Sequence, residues 1–224
     1  MKSLLAALFL GLSTAGAAAP DPLLDRIVAG ARAVPASSIA FERTSKGVSQ
    51  EKSGATETTM RVDRWDGAQM TPLSIDGKPA TPEDVARTRK DSAGRPVPGY
   101  HRIGDYLGSG ARRVPTADGR IVYRIDKLPK GSINIGGDRS GDMVGEAVVD
   151  ASGAVPFVSR MRLYLPKPLS IFMVAKLDSF EVNNEYRLGP GGRPALIRSV
   201  QTMAGSQFGK TGTTRTEVTY TPQR

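Results

Sequence analysis

The sequence predicts an α+β fold in which an antiparallel sheet of many strands packs one face against a few short helices. Three observations predict it. From Gly119 onward, segments rich in aliphatic, aromatic and β-branched residues alternate with turn residues at intervals that suit a β-meander. Within one segment Met161, Leu163 and Leu165 fall on one side while Arg160, Arg162 and Tyr164 fall on the other, the alternation of a sheet with one dry face. Helical spacing of apolar residues is confined to short stretches of the N-terminal half.

Taken in order, Asp21 is an N-cap for a lead-in helix that places Leu24, Ile27, Val28 and Ala31 at helical spacing, with Pro22 in its first turn. Ser37 to Thr44 and Thr56 to Trp65 read as the arms of a long hairpin, separated by a polar stretch rich in Ser, Lys and Gly. The second arm alternates imperfectly around Met60, Val62 and Asp63. Asp66-Gly67 turns the chain into a third strand ending at Ile75, and Asp76-Gly77 breaks it. Thr81-Pro82-Glu83-Asp84 supplies a cap, a first-turn proline and first-turn carboxylates for a polar helix to about Lys90. Tyr100 to Leu107 is a further helical turn or two. The meander strands are Ile121 to Ile125, Met143 to Val149, Phe157 to Leu165, Ile171 to Val182, Ala195 to Met203 and Thr213 to Thr221. With no internal repeat and no heptad, residues 20–224 are expected to form a single domain.

Residues 1–19 read as a secretory signal peptide: Lys2 at the start, an uncharged apolar run from Leu4 to Leu12, then small residues to Ala19. The run is shorter than the roughly 20 residues a membrane-spanning helix needs. Cleavage after Ala18 or Ala19 fits best, and no cysteine follows that could carry a lipid anchor. The expected protein is therefore periplasmic, with no transmembrane segment. Zero cysteines exclude disulfides, thiolate catalysis and cysteine metal sites, so stability rests on packing and sheet hydrogen bonds. The net charge of +9 falls by one with Lys2 and suits an anionic envelope surface or an acidic protein partner. Nucleic acid is not an expected partner in that compartment.

Few residues invite catalysis. His101 is the sole histidine, which leaves a triad or a multi-histidine metal site without its parts. Ser49-Gln50-Glu51-Lys52, Ser132-Ile133-Asn134 and Lys210-Thr211-Gly212 follow the order of the three motifs of penicillin-interacting serine enzymes. That chemistry needs Ser49 at the start of a buried helix with Lys52 one turn above it, and the flanking residues offer no apolar helical face. The glycines at Gly136, Gly137 and Gly141 and at Gly189, Gly191 and Gly192 neither follow a buried strand nor open a helix, so hairpin turns explain them better than phosphate cradles. Asp138 with Asp142, and Glu181 with Glu185, have the character of solvated turns. No catalytic residue, metal or cofactor is expected.

The order of signal, lead-in helix, long hairpins, a helix after Asp76-Gly77-Lys78-Pro79 and a run of meander strands resembles the periplasmic lipoprotein-carrier superfamily, LolA- and LolB-like. Trp65 to Val85 and Gly145 to Pro168 also look like exported bacterial proteins of that layout. The resemblance implies that the antiparallel sheet is curved into an incomplete barrel around helices, with an apolar cavity that receives lipid or lipoprotein acyl chains. The inward residues expected to line it are Trp65, Leu73, Leu163, Leu165, Met173 and Leu177. Two functions follow: a carrier or sensor of an apolar ligand, or a non-catalytic structural or protein-interaction module of the cell envelope whose core is filled.

Overall fold

The computed structural model describes residues 20–36, 39–93, 97–171 and 175–223; the export segment expected over 1–19 lies outside them. Among these residues three α-helices accompany 12 strands. The helices are α1 (Pro22–Arg32), α2 (Pro82–Ser92) and α3 (Arg102–Gly108). The N-terminal strands are β1 (Phe41–Glu51), β2 (Thr56–Trp65), β3 (Met70–Ile75), β4 (Lys78–Pro79), β5 (Arg112–Val114) and β6 (Ile121–Ile125). β7 (Val144–Asp150), β8 (Phe157–Tyr164), β9 (Leu169–Ile171), β10 (Ala175–Leu188), β11 (Pro194–Gln207) and β12 (Lys210–Pro222) follow.

All the strands join one open, curved antiparallel sheet in the order β4-β3-β2-β1-β12-β11-β10-β8-β7-β6-β5, with β9 added beside β10. It does not close into a barrel. Most consecutive strands pair as hairpins; β4 and β5 instead form the two edges, β8 pairs with β10, and a long-range splice sets β1 against β12, from Phe41↔Pro222 to Glu51↔Gly212. The N-terminal hairpin is thereby hydrogen-bonded to the end of the C-terminal meander, a contact of high loop-closure cost that the whole chain must be ordered to make.

The helices α1 and α2 begin where their side-chain caps put them. Asp21 accepts from the N–H groups of Leu23 and Leu24, both at 3.1 Å, and its second oxygen accepts from the Tyr123 hydroxyl at 2.8 Å, so one side chain starts α1 and pins it to β6. At α2 the Asp84 N–H donates to Thr81 Oγ1 at 3.2 Å and the Thr81 N–H donates to the Asp84 carboxylate at 3.0 Å, a reciprocal capping box. α1 packs against α3 through Gly104, where a Cβ would stand 2.7 Å from Arg32 Cγ.

The sheet has one dry face and one wet face. Inward residues Tyr123, Ile125, Met143, Ala147, Val158, Met161 and Leu163 meet Ile27, Ile103 and Leu107 of the helices in one buried core. On the outer face of the same strands, cross-strand ion pairs replace packing: Arg124 with Glu146 at 3.2 Å, Arg162 with Glu181 at 2.6 Å, Arg198 with Glu217 at 2.8 Å. Partly exposed pairs of this kind contribute about 0.2 to 1 kcal/mol each, so they mark the solvent face more than they stabilise it.

Several elements differ from the sequence expectation: β4 and β5 are not among the expected strands, β11 and β12 run longer than expected, and β1, β10 and β3 differ in more than length. β1 starts at Phe41 and runs through Lys46 to Glu51, residues read as a polar connector, because pairing with both β2 and β12 holds an extended chain that has no apolar face of its own. Residues 37–38, expected at the start of that strand, lie outside the described ones. Of the expected strand from Ile171 to Val182, Ile171 belongs to β9 and Ala175 onward to β10, which pairs antiparallel with β9 and continues to Leu188; residues 172–174 lie outside the described ones. β3 carries a bulge at Leu73, between the pairs Val62↔Ser74 and Asp63↔Pro72, where proline has no N–H to give the ladder.

Asp63 explains the broken alternation of the second arm, since it sits on the inward face with no solvent exposure. Its Oδ2 accepts from Arg43 Nε at 3.0 Å and Nη2 at 2.9 Å, and its Oδ1 from Arg61 Nε at 2.6 Å. Asp63→Asn should lower the unfolding free energy by about 2 to 3 kcal/mol, because it leaves two guanidiniums facing each other over a neutral amide. Urea unfolding checks this, and an unchanged midpoint would show that the triad does not stabilise the sheet.

Candidate functional site

The helices cover the inward face of the sheet only in part. α1 and α3 lie over the β6 to β8 region, while α2 packs near β3. Between them the inward faces of β8, β10, β11 and β12 floor a cavity of about 960 Å³, walled by Val97 to Gly99, by α3 and by residues 130–134. Its floor is amphipathic. Leu163, Val182, Tyr186, Leu196 and Tyr220 supply apolar and aromatic surface, and Asn184, Ser199 and Gln201 stand among them on the same face.

The rim is basic on two sides. Arg102 stacks its guanidinium over the Tyr106 ring, 5.4 Å from the centroid, and Lys130 stands on the loop opposite. That loop is stapled by its own polar groups: the Ser132 hydroxyl donates to the Pro129 carbonyl at 2.6 Å, the Gly131 N–H to the Asp138 carboxylate at 3.0 Å, and the Ile133 N–H to Ser140 Oγ at 3.0 Å. Hydrogen bonds from the Ser140 hydroxyl, the Ser140 N–H and the Gly131 N–H hold the Asp138 carboxyl below its ordinary value. Asp138 therefore anchors the loop.

The tyrosines are fixed from below. Tyr186 and Tyr100 meet edge to face with centroids 5.4 Å apart, and Tyr220 meets Phe41 in the same way at 5.2 Å. The Tyr100 hydroxyl accepts from the Val158 N–H at 2.9 Å, and burial pushes its pKa up to about 12. Burial also raises the Tyr186 and Tyr220 hydroxyls, the latter opposed in part by the Arg43 guanidinium. All three are neutral phenols at physiological pH, able to donate or accept a hydrogen bond.

A second cleft of about 320 Å³ adjoins the first and shares Val97 and Pro98 with it. Arg43, Arg61, Trp65, Met70, Thr88 and Asp91 contribute to its lining. Arg61 Nη2 donates to Thr88 Oγ1 at 2.6 Å, and Thr88 in turn donates to the Asp84 carbonyl at 2.6 Å, so α2 holds the guanidinium in place. Trp65 Nε1 is shielded from solvent and has no hydrogen-bond partner among the described residues.

Of the residues expected to line a cavity, Leu163 stands in the large one and Trp65 in the adjoining cleft. Leu177 is buried in the core, Leu165 packs against that core from its edge, and Leu73 is the partly buried bulge of β3. Met173 lies outside the described residues. Tyr106, Tyr186, Tyr220, Asn184, Ser199 and Gln201 escaped the sequence argument. The run Val182, Asn184, Tyr186, apolar, polar, aromatic on one face of one strand, was the available signal of a face that is not simply core.

Ser49 lies within β1, its hydroxyl 3.2 Å from that of Thr214, so the helical start that a serine–lysine enzyme requires is not formed there. Ser132 belongs to the cavity loop, whereas Lys210 stands at the start of β12 with its Nζ 3.5 Å from Glu51. Among the described residues no group of three or more His, Asp or Glu side chains has the spacing of a metal site, and no helix is long and apolar enough to cross a membrane. The chain matches no protein-family model and no curated protein.

His101, ahead of α3, is half-buried, and its Nδ1 has no hydrogen-bond partner among the described residues. Burial, reinforced by Arg102 and opposed by Asp105, lowers its pKa from the ordinary 6.5. The folded protein thus favours the neutral ring, and the unfolded chain binds the extra proton as pH falls below about 6.5, so stability drops in that direction. His101→Gln should flatten the melting temperature between about pH 5 and 6.5, above the range where carboxylates titrate. An unchanged slope in that window would remove His101 as its source.

Proposed function

We propose that the protein is a periplasmic binding or carrier protein that holds a lipid or other amphipathic ligand against the inward face of its curved sheet. The observation that carries this reading is the cavity of about 960 Å³ left where α1, α2 and α3 fail to cover β10 to β12, a volume in the range of ligand-binding sites. Its chemistry supports an amphiphile over a pure hydrocarbon. Leu163, Val182 and the rings of Tyr186 and Tyr220 offer apolar contact, while Asn184, Ser199, Gln201, Arg102 and Lys130 offer polar partners around it. The likeness of layout to periplasmic lipoprotein carriers supports the same reading.

One observation favours the second function, an interaction module of the cell envelope. Phe208 stands 74% exposed in the β11–β12 turn with φ of 49°, an unusual backbone region for an aromatic residue.

The first reading is tested by extracting lipids from protein purified out of its native periplasm and by titrating the stripped protein with dodecanol, followed by the fluorescence of Trp65, the sole tryptophan. Binding should saturate, and Val182→Phe, which fills the cavity floor, should weaken it by about tenfold or more, roughly 1.4 kcal/mol. Absence of co-purified lipid together with an unresponsive Trp65 would transfer the argument to the interaction module.

A further inference from the structure

The cleft between α2 and the inward face of β1 to β3 carries more hydrogen-bond donors than the protein itself satisfies. Its centre is the triad of Arg43, Asp63 and Arg61, in which one fully buried carboxylate faces two guanidiniums whose side chains remain 26% and 31% exposed. One negative charge against two positive leaves the triad alone with an excess of +1, set against the carboxylate of Asp91 on the same cleft. Both arginines are held in place, Arg43 by two bonds to a single carboxylate oxygen and Arg61 between Asp63 and Thr88. Their Nε and Nη2 donors are committed to Asp63 and Thr88, which leaves the Nη1 ends of two guanidiniums already fixed in place as the donors available to an oxyanion.

The second observation is independent of the charges. Trp65 lines the same cleft, and its indole N–H is out of water and unpaired among the described residues. A shielded donor without an acceptor is destabilising, and a ligand oxygen would relieve it. The opposing group is Asp91, exposed in the last turn of α2, where solvent screens it more than it screens the triad. The shared wall at Val97 and Pro98, and Arg43 acting on the hydroxyl of Tyr220 in the large cavity, join the cleft to the space proposed for the ligand body.

We infer that this cleft is an oxyanion subsite, built by Arg43, Arg61 and Trp65, that seats the phosphate or carboxylate head of an amphiphile whose apolar part occupies the large cavity. The inference rests on the proposed ligand-binding function and adds the charge and place of the headgroup.

Calorimetric titration of the full exported protein with dodecyl phosphate, dodecanol and inorganic phosphate, each below any micelle concentration, tests it. Dodecyl phosphate should bind about tenfold or more tightly than dodecanol, and tighter than inorganic phosphate by a similar factor. Trp65→Phe, which keeps an aromatic ring and removes the N–H, should cut the preference for dodecyl phosphate over dodecanol about fivefold, and Asp91→Asn should increase it. Equal affinity for dodecyl phosphate and dodecanol would overturn the subsite and leave the cavity function standing. Failure of both amphiphiles while inorganic phosphate binds in a Trp65→Phe-sensitive manner would support the oxyanion site and overturn its role as a headgroup seat. Failure of all three would overturn both.

Discussion

The cost of leaving an apolar sheet face in water governs this structure, and the way the chain meets that cost decides where the inward face is left uncovered. The meander from β6 to β8 turns Tyr123, Met143, Met161 and their neighbours inward, and α1 and α3 are positioned to bury them. Asp21 is central to that cover, because it caps α1 and receives the Tyr123 hydroxyl from the face that α1 protects. The helices are short, so their shelter ends before β11 and β12. Where it ends, the inward residues change from Met and Ile to Asn184, Ser199 and Gln201, which tolerate water, interleaved with tyrosines that tolerate either phase.

The same logic explains the electrostatics. On the outer face, Arg124, Arg162 and Arg198 find their partners on neighbouring strands and remain in solvent. On the inward face a charge must be neutralised within the protein, and Asp63 is buried only because two arginines reach it. That arrangement over-neutralises the carboxylate. The surplus lies beside an indole N–H with no partner among the described residues, at the boundary of the large cavity, and electrostatics and geometry thereby converge on one end of the proposed binding surface.

Much of the architecture was legible in the residues. β2 from Thr56 to Trp65 and β6 from Ile121 to Ile125 have the expected bounds, and the caps at Asp21 and Thr81 act as their chemistry requires. The alternation in Phe157 to Leu165 identified the dry face through Met161 and Leu163. What escaped depends on long-range pairing. The polar half of β1 has no local reason to be a strand until β12 arrives from the far end of the chain, and β5 is a three-residue edge with no pattern to read. The site was less legible than the fold because a search for apolar inward residues favours core, and Leu177 belongs to the core. The residues that set the cavity apart are polar ones on an inward face, and assigning them to that face requires the register of β10 and β11, including its irregularity near Glu185.

The central claim is that the inward face over β10 to β12 is an unfilled cavity and not packed core. The thermal stability of ligand-free Ser199→Leu tests it most directly. In an open cavity the added side chain buries apolar surface without collision, and the melting temperature should rise, by a gain on the order of 0.5 to 1 kcal/mol. A fall in melting temperature, the overpacking penalty of about 1 to 3 kcal/mol expected of a close-packed interior, would contradict the account.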